Sequence, residues 1–272
     1  MIDDKENKRN DSDYNKSKEN FNKERKLYHF TDFNAVKKIF GDMKFRMSKI
    51  SSNNLNDGTE KETIDAIWKD KIFIMCFTNC MKEYFWENYA KGKKQGVCIE
   101  VDMGKFKYNK IVSKDGIVLE KKTDYLHEKT NDENDWIIHD ISGLEVVYKD
   151  NPSKDCYYDK ELITLYEGCN DVGNNKPLQE NFKYYNNQGY SKDRKKWDIE
   201  NEYRIRCTIR PKGSETYTYK TNILYYRPNF EHLYIDLSKQ ETVFKIIINK
   251  EFECIEEIHE FCKNKGLKLE VI

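Results

Sequence analysis

Neither charge is in excess in this chain: 48 Lys and Arg stand against 48 Asp and Glu, and the formal net charge is zero. Nucleic-acid binders draw most of their affinity from neutralised phosphates, so a balanced chain argues against that class. Two basic runs do occur, at 91–94 around Gly92 and at 192–196, and each reads as a solvated face. None of the eight cysteines forms a C-x-x-C pair or has a histidine at zinc-finger spacing. Several lie in apolar runs, where a thiol behaves as a small buried hydrophobe. No apolar run reaches the length of a membrane span, and Met1-Ile2-Asp3-Asp4-Lys5 is no secretory leader. These absences predict a soluble, cytoplasmic protein with free thiols and no membrane partner. There is no Walker A loop, G-x-G-x-x-G, H-E-x-x-H or nucleophile elbow either. That counts against P-loop ATPases, Rossmann oxidoreductases, zincins and serine hydrolases.

What is present is a folded body with polar additions. Aromatics make up 14% of the chain, with 19 Tyr and 14 Phe, while hydrophobic residues reach only 38% and charged ones 35%. Residues 1–24 carry almost no apolar surface and read as a disordered tail, leaving 25–272 as a single domain. Strand patterns fall at 27–31, 44–50, 72–77, 97–101, 144–148, 202–209, 223–226, 233–235, 244–248 and 267–272. Helical patterns fall after Thr31 or Asp32 (Val36, Ile39, Phe40), over 81–90, over 158–166 and over 253–263. Residues 103–145 read as hairpins and loops, and 170–189 as a loop or flap. Strands and helices do not alternate, which predicts an α+β fold with mixed, mainly antiparallel sheets and peripheral helices.

The clearest strand, 202–209, carries the strongest candidate site. Tyr203, Ile205, Cys207 and Ile209 share one face, and Glu202, Arg204, Arg206 and Thr208 the other, with Glu200 in the same parity if the strand begins early. Two readings stand. The charged face is a solvated one with weak cross-pairing, or it holds a carboxylate rigidly beside arginines that can bind phosphate. Such a carboxylate can stabilise the positive charge that develops on a ribose carbon during glycosidic cleavage. His29 is either a structural strand histidine or, with Thr31 two residues on, a hydrogen-bonding partner for a ligand hydroxyl. Over 81–90, with Trp86 and Tyr89, the aromatics are either core or a wall for a flat ring. Asn56, Asp57 and Glu60 form a turn, a polar rim or a helix cap. Asp57 and Glu60 with Glu202 would also suit a metal-dependent nuclease, although their spacing gives that little backing.

Ordered along the chain, Leu27-Tyr28-His29-Phe30-Thr31, Asn56-Asp57 with Glu60, Cys76-Phe77-Thr78, Trp86 to Ala90, Gly96-Val97-Cys98 and Trp197 to Arg204 resemble a bacterial family catalogued as domain of unknown function 2971. The resemblance spans residues 27–272, and that family implies little function. A second, looser resemblance is to ADP-ribosyltransferases of the DNA-modifying toxin type. It implies an ADP-ribosyltransferase-like fold, NAD as substrate, no metal, and a macromolecular acceptor of unknown class. In it His29 anchors the NAD ribose, Tyr89 or Trp86 stacks on nicotinamide, Glu202 grips the nicotinamide-ribose hydroxyl and Glu200 orients the acceptor. The expectation is an NAD-using transferase or glycohydrolase, as a toxin or anti-phage effector. The alternative is a non-catalytic module that binds a nucleotide or a protein.

Overall fold

The computed structural model describes residues 16, 18–22, 26–50, 71–119, 136–149, 191–193, 197–211, 228–238, 240 and 243–272. The candidate segments 51–60, 158–166, 170–189 and 223–226, and with them Asn56, Asp57 and Glu60, lie outside these residues. The α+β expectation holds: a curled, mostly antiparallel sheet of eleven strands carries a few helices on its flanks.

The strand in the middle is β3 (Ile72–Thr78), an unbroken apolar run of the kind that suits burial on both faces. One edge of it pairs over seven residues with β10 (Glu202–Pro211). The other edge is shared. At its start β3 pairs with β2 (Lys44–Lys49) through Ile74 and Phe73, and at its end with β1 (Lys26–Asp32) through Thr78 alone. The sheet therefore forks at Cys76. One branch runs from β1 to β4 (Gly96–Asp102), β12 (Phe244–Ile248) and the parallel edge strand β13 (Lys268–Val271). The other runs from β2 to β11 (His232–Asp236) and the short β5 (Ile111–Val112) and β6 (Val118–Leu119), while β8 (Val147–Lys149) and β9 (Ser191–Asp193) form a separate parallel pair.

Alternation gives the sheet two unlike faces. Leu27, Phe45, Met47, Phe73, Met75, Phe77, Val97, Ile99, Tyr203, Ile205 and Cys207 line the inner face and form the main core. Helix α1 (Phe33–Asp42) covers part of it with Val36, Ile39 and Phe40. Asp32 is its N-cap, the carboxylate accepting from the Ala35 N–H at 2.9 Å. Helix α3 (Ile255–Lys265) adds Ile258 and Cys262. The outer face carries a smaller apolar cluster of Phe30, Phe85, Trp86, Ala90, Cys98 and Ile247 under helix α2 (Glu83–Tyr89). Gly96 lets the chain leaving α2 fold tightly onto the start of β4. A Cβ there would lie 2.4 Å from the Gly92 carbonyl oxygen.

Two readings need correction. Residues 136–145, expected as hairpin and loop, form the ten-residue strand β7 (Trp136–Glu145), which flanks β10 on the side away from β3. Its charged letters misled the pattern: Asp140 is consumed by an ion pair and Ser142 hydrogen-bonds to it, so neither marks a loop. The polar tail also reaches into the fold. Residues 18–22 are helical, and Phe21 is buried against Tyr108, Tyr203 and Gly143. Gly143 makes room for that ring, since a Cβ would meet it at 2.0 Å. A single large aromatic outweighs the polar letters around it, because fully burying one contributes about 1.5–3 kcal/mol. Phe21→Ala is expected to destabilise the protein by about 3–5 kcal/mol in urea unfolding. A change near zero would mean that 18–22 does not dock in solution.

Candidate functional site

The late strand does not present a solvated charged face. Arg204 and Arg206 are 0% and 1% exposed, Glu202 is 5% and Glu200 4%. Arg204 clamps the Glu202 carboxylate with two bonds, Nε to Oε1 at 2.7 Å and Nη2 to Oε2 at 3.0 Å. Arg206 Nη2 donates to Asp140 Oδ2 at 3.1 Å across to β7, and the Ser142 hydroxyl donates to the same oxygen. Burial works to raise the Asp140 carboxyl, and the charges of Arg206 and Lys18 together with the hydrogen bonds from Arg206 and Ser142 outweigh it, so the group sits below the usual carboxylate range.

Glu200 is not on the strand. It ends a short 3-10 turn, Asp198–Glu200, and Asn201 in the left-handed conformation (φ 41°) turns the chain into β10. That turn is fastened to the end of β3: the Thr78 hydroxyl donates to the Glu200 carbonyl at 2.8 Å. The Tyr89 hydroxyl, from the last residue of α2, donates to Glu200 Oε1. The Glu202 N–H donates to the Tyr148 hydroxyl at 2.9 Å. Residues 111 positions apart thus meet at one margin of the outer face, where the carboxylate of Glu200 lies under a partly exposed tyrosine.

Strand pairing decides who else belongs here. Tyr28 lies opposite Thr78, and Thr78 opposite Glu202, so the three share the outer face in one row. Tyr28, Cys80, Tyr84 and Tyr89 all pack, half-buried, on the outer apolar cluster. His29, one residue on, faces the other way. Its ring lies edge-on to Phe45 at 5.0 Å and to Phe77 at 6.0 Å, both inner-face residues. Its Nδ1–H donates to the Cys76 carbonyl at 2.9 Å, at the fork of the sheet. Burial, opposed by that bond and helped by the Arg46 charge, holds the imidazole below its ordinary pKa. Thr31 shares the parity of His29, opposite Val97.

The expected set is therefore split. Tyr89, Glu200, Glu202 and Arg204 come together on the outer face, whereas His29 and Thr31 do not join them. Trp86 is core, 3% exposed and edge-on to Phe30 at 5.1 Å. Helix α2 starts later than its pattern suggested and buries Phe85 and Trp86, while Met81 and Asn88 are exposed. Tyr28 and Thr78 stand in the motifs of the first resemblance without a site role, and Tyr148 has none either. Tyr28 could have been found from the alternation of 27–31 had the pairing of β1 with β3 been known. Nothing in sequence spacing points to Tyr148. Among the described residues no three His, Cys, Asp or Glu gather as a metal ion would require, and no helix is long and apolar enough to cross a membrane.

Two outcomes follow from this geometry. Glu202→Gln takes from the buried Arg204 guanidinium the carboxylate charge that clamps it, so the variant is expected to lose about 3–5 kcal/mol in chemical denaturation. A loss below about 1 kcal/mol would mean that the pair is solvated. His29 is neutral in the fold at pH 7, and its depressed pKa makes the unfolded chain the better proton binder. Its contribution to stability is thus complete above about pH 6.5 and falls away as pH drops toward the folded value. NMR titration of the His29 ring should place its midpoint below 6.5, and a midpoint at or above that value would contradict the inward placement. Comparison with family models, with curated proteins and with solved structures finds no match, so the likeness to domain of unknown function 2971 stands on its short motifs alone.

Proposed function

We propose that this chain binds a nucleotide at the margin of the outer face and acts on NAD as ADP-ribosyltransferases do, with Glu200 rather than Glu202 as the working carboxylate. The observation that carries the reading is the contact between Glu200 and Tyr89, which sets a buried carboxylate beside an aromatic edge that solvent can reach. Cleavage of a glycosidic bond to nicotinamide builds positive charge on the ribose, and a preorganised carboxylate in a water-poor setting stabilises that charge best. The hydrogen bond from Tyr89 holds Glu200 Oε1 in place, so the carboxylate is oriented before a ligand arrives. Tyr28, Tyr84 and Tyr89 supply flat surface for a base or nicotinamide ring. In this reading Glu202 and Arg204 brace the floor. His29 is a structural residue of the fork and no ribose anchor. The ADP-ribosyltransferase-like reading of the fold belongs to the same proposal, as does a macromolecular acceptor.

A second reading has its own support. The bidentate Glu202–Arg204 pair ties up the carboxylate that the resemblance names as catalytic. This favours a module that binds a nucleotide without consuming it.

One experiment separates the two. Purified protein is incubated with NAD, with and without cell extract. Nicotinamide release and ADP-ribosylated products are followed by mass spectrometry, and binding by ligand-observed NMR. The transferase reading expects turnover that Glu200→Gln lowers by roughly 10²–10³-fold in a folded protein. The module reading expects NAD to bind and remain intact. Neither binding nor consumption, in buffer or in extract, would overturn both.

A further inference from the structure

Among the described residues the sheet ends at β13, with the outer edge of that strand unpaired. Among the described residues β13 pairs with β12 alone, while Lys268, Glu270, Val271 and Ile272 are all exposed, the last two by 44% and 42%. The hydrogen bonds already made say which peptide groups remain. Ile272 donates its N–H to the Ile248 carbonyl, and its own carbonyl accepts from Lys250. By two-residue alternation Glu270 and Lys268 also turn their peptide groups toward β12, so Leu269 and Val271 turn theirs outward. An edge of this kind is a template for another strand.

Charge identifies the strand that fits. On the outer face a ladder of alternating sign crosses the sheet: Lys26 to Glu100 at 3.1 Å, Glu100 to Lys245 at 3.2 Å, and Lys245 to Glu270 at 2.8 Å. It stops on Glu270 at the open edge, where a further cation would continue it. Lys268, two residues away on the same face, is such a cation, and it becomes available when the strand is turned about a two-fold axis.

We infer that β13 pairs antiparallel with β13 of a second copy of this chain, about a two-fold axis through Leu269, giving one sheet that runs through both copies. In this register the two Leu269 residues exchange a pair of hydrogen bonds. Each Val271 N–H donates to the Leu267 carbonyl of the other copy. The Leu267 N–H is already given to Cys262 within its own chain, so the carbonyl is the group it has to offer. Lys268 then stands directly opposite Glu270, twice, at non-hydrogen-bonded positions where side chains approach most closely. The register shifted by two residues would use the same outward peptide groups but set Glu270 against Glu270, a like-charge contact. On the inner face the core reaches as far as Leu269, which meets its own copy and extends the apolar layer across the axis. The interface is self-complementary, as two-fold association requires.

The test is the association state of the full chain, measured by light scattering and sedimentation over a wide concentration range. The wild type is expected to form a concentration-dependent dimer. Glu270→Lys faces Lys268 with a second lysine and is expected to weaken the dimer roughly tenfold. The reversed pair, Lys268→Glu with Glu270→Lys, should restore it. Both of these proteins lack the bridge to Lys245, so recovery reports the contact between copies. Val271→Pro removes an outward N–H that β12 does not use, and is expected to give a folded monomer with unchanged circular dichroism. A wild type that stays monomeric throughout would overturn the inference, as would a dimer indifferent to Glu270→Lys and Val271→Pro.

Discussion

Everything in this fold is arranged around the double duty of β3. One edge gives its full length to β10, and the other is divided between β2 and β1. A strand shared in that way cannot keep both neighbours parallel to its axis, so the sheet opens between them. The opening would expose the Cys76 carbonyl, and His29 takes it up with a side chain. This is the usual remedy where a ladder ends, because an unsatisfied buried carbonyl costs about 1–3 kcal/mol. The role explains why His29 turns inward. It also explains why the residue resembling a ribose anchor is separated from the carboxylates by the thickness of the sheet.

Local pattern reached the strands and stopped at the pairings. The runs 27–31, 44–50, 72–77, 97–101, 202–209, 233–235 and 244–248 all became strands, because each is apolar or alternating over a strand length and bounded by polar residues. Strand β7 was missed because its polar letters resemble those of a loop until Arg206 supplies the partner that lets Asp140 sit half-buried in a strand. Phe21 was missed for the converse reason. Composition averages over a window, and one ring filling the space above Gly143 is invisible to an average.

The candidate site was legible as a list of residues and not as an arrangement. Parity within 202–209 correctly placed Glu202, Arg204 and Arg206 together on the face away from Tyr203 and Ile205. Parity could not say whether that face meets water, and it does not. Extending the alternation back to Glu200 failed because Asn201 adopts a left-handed conformation and breaks the strand. That break moves the earlier glutamate off the sheet plane and within reach of Tyr89. The side chain given the lesser role by resemblance ends up at the accessible margin, and the one given the greater role is clamped.

The burial of so much charge on β10 constrains how the outer face can work. A buried ion pair adds little net stability, since the desolvation of two ions cancels most of their attraction, but losing one partner is expensive. Asp140 with Arg206 therefore fastens the register of β7 against β10, while Glu202 with Arg204, both on β10, matches charge within the strand. The less buried side chains of that face lie at its end. Toward the Thr78 end lie Asn201, Tyr89 and Tyr28, none of them fully buried, around the Glu200 carboxylate. The charged floor and the aromatic margin are thus separate parts of the face, so a change at Tyr28 or Tyr89 leaves the cross-strand pair of Arg206 with Asp140 untouched.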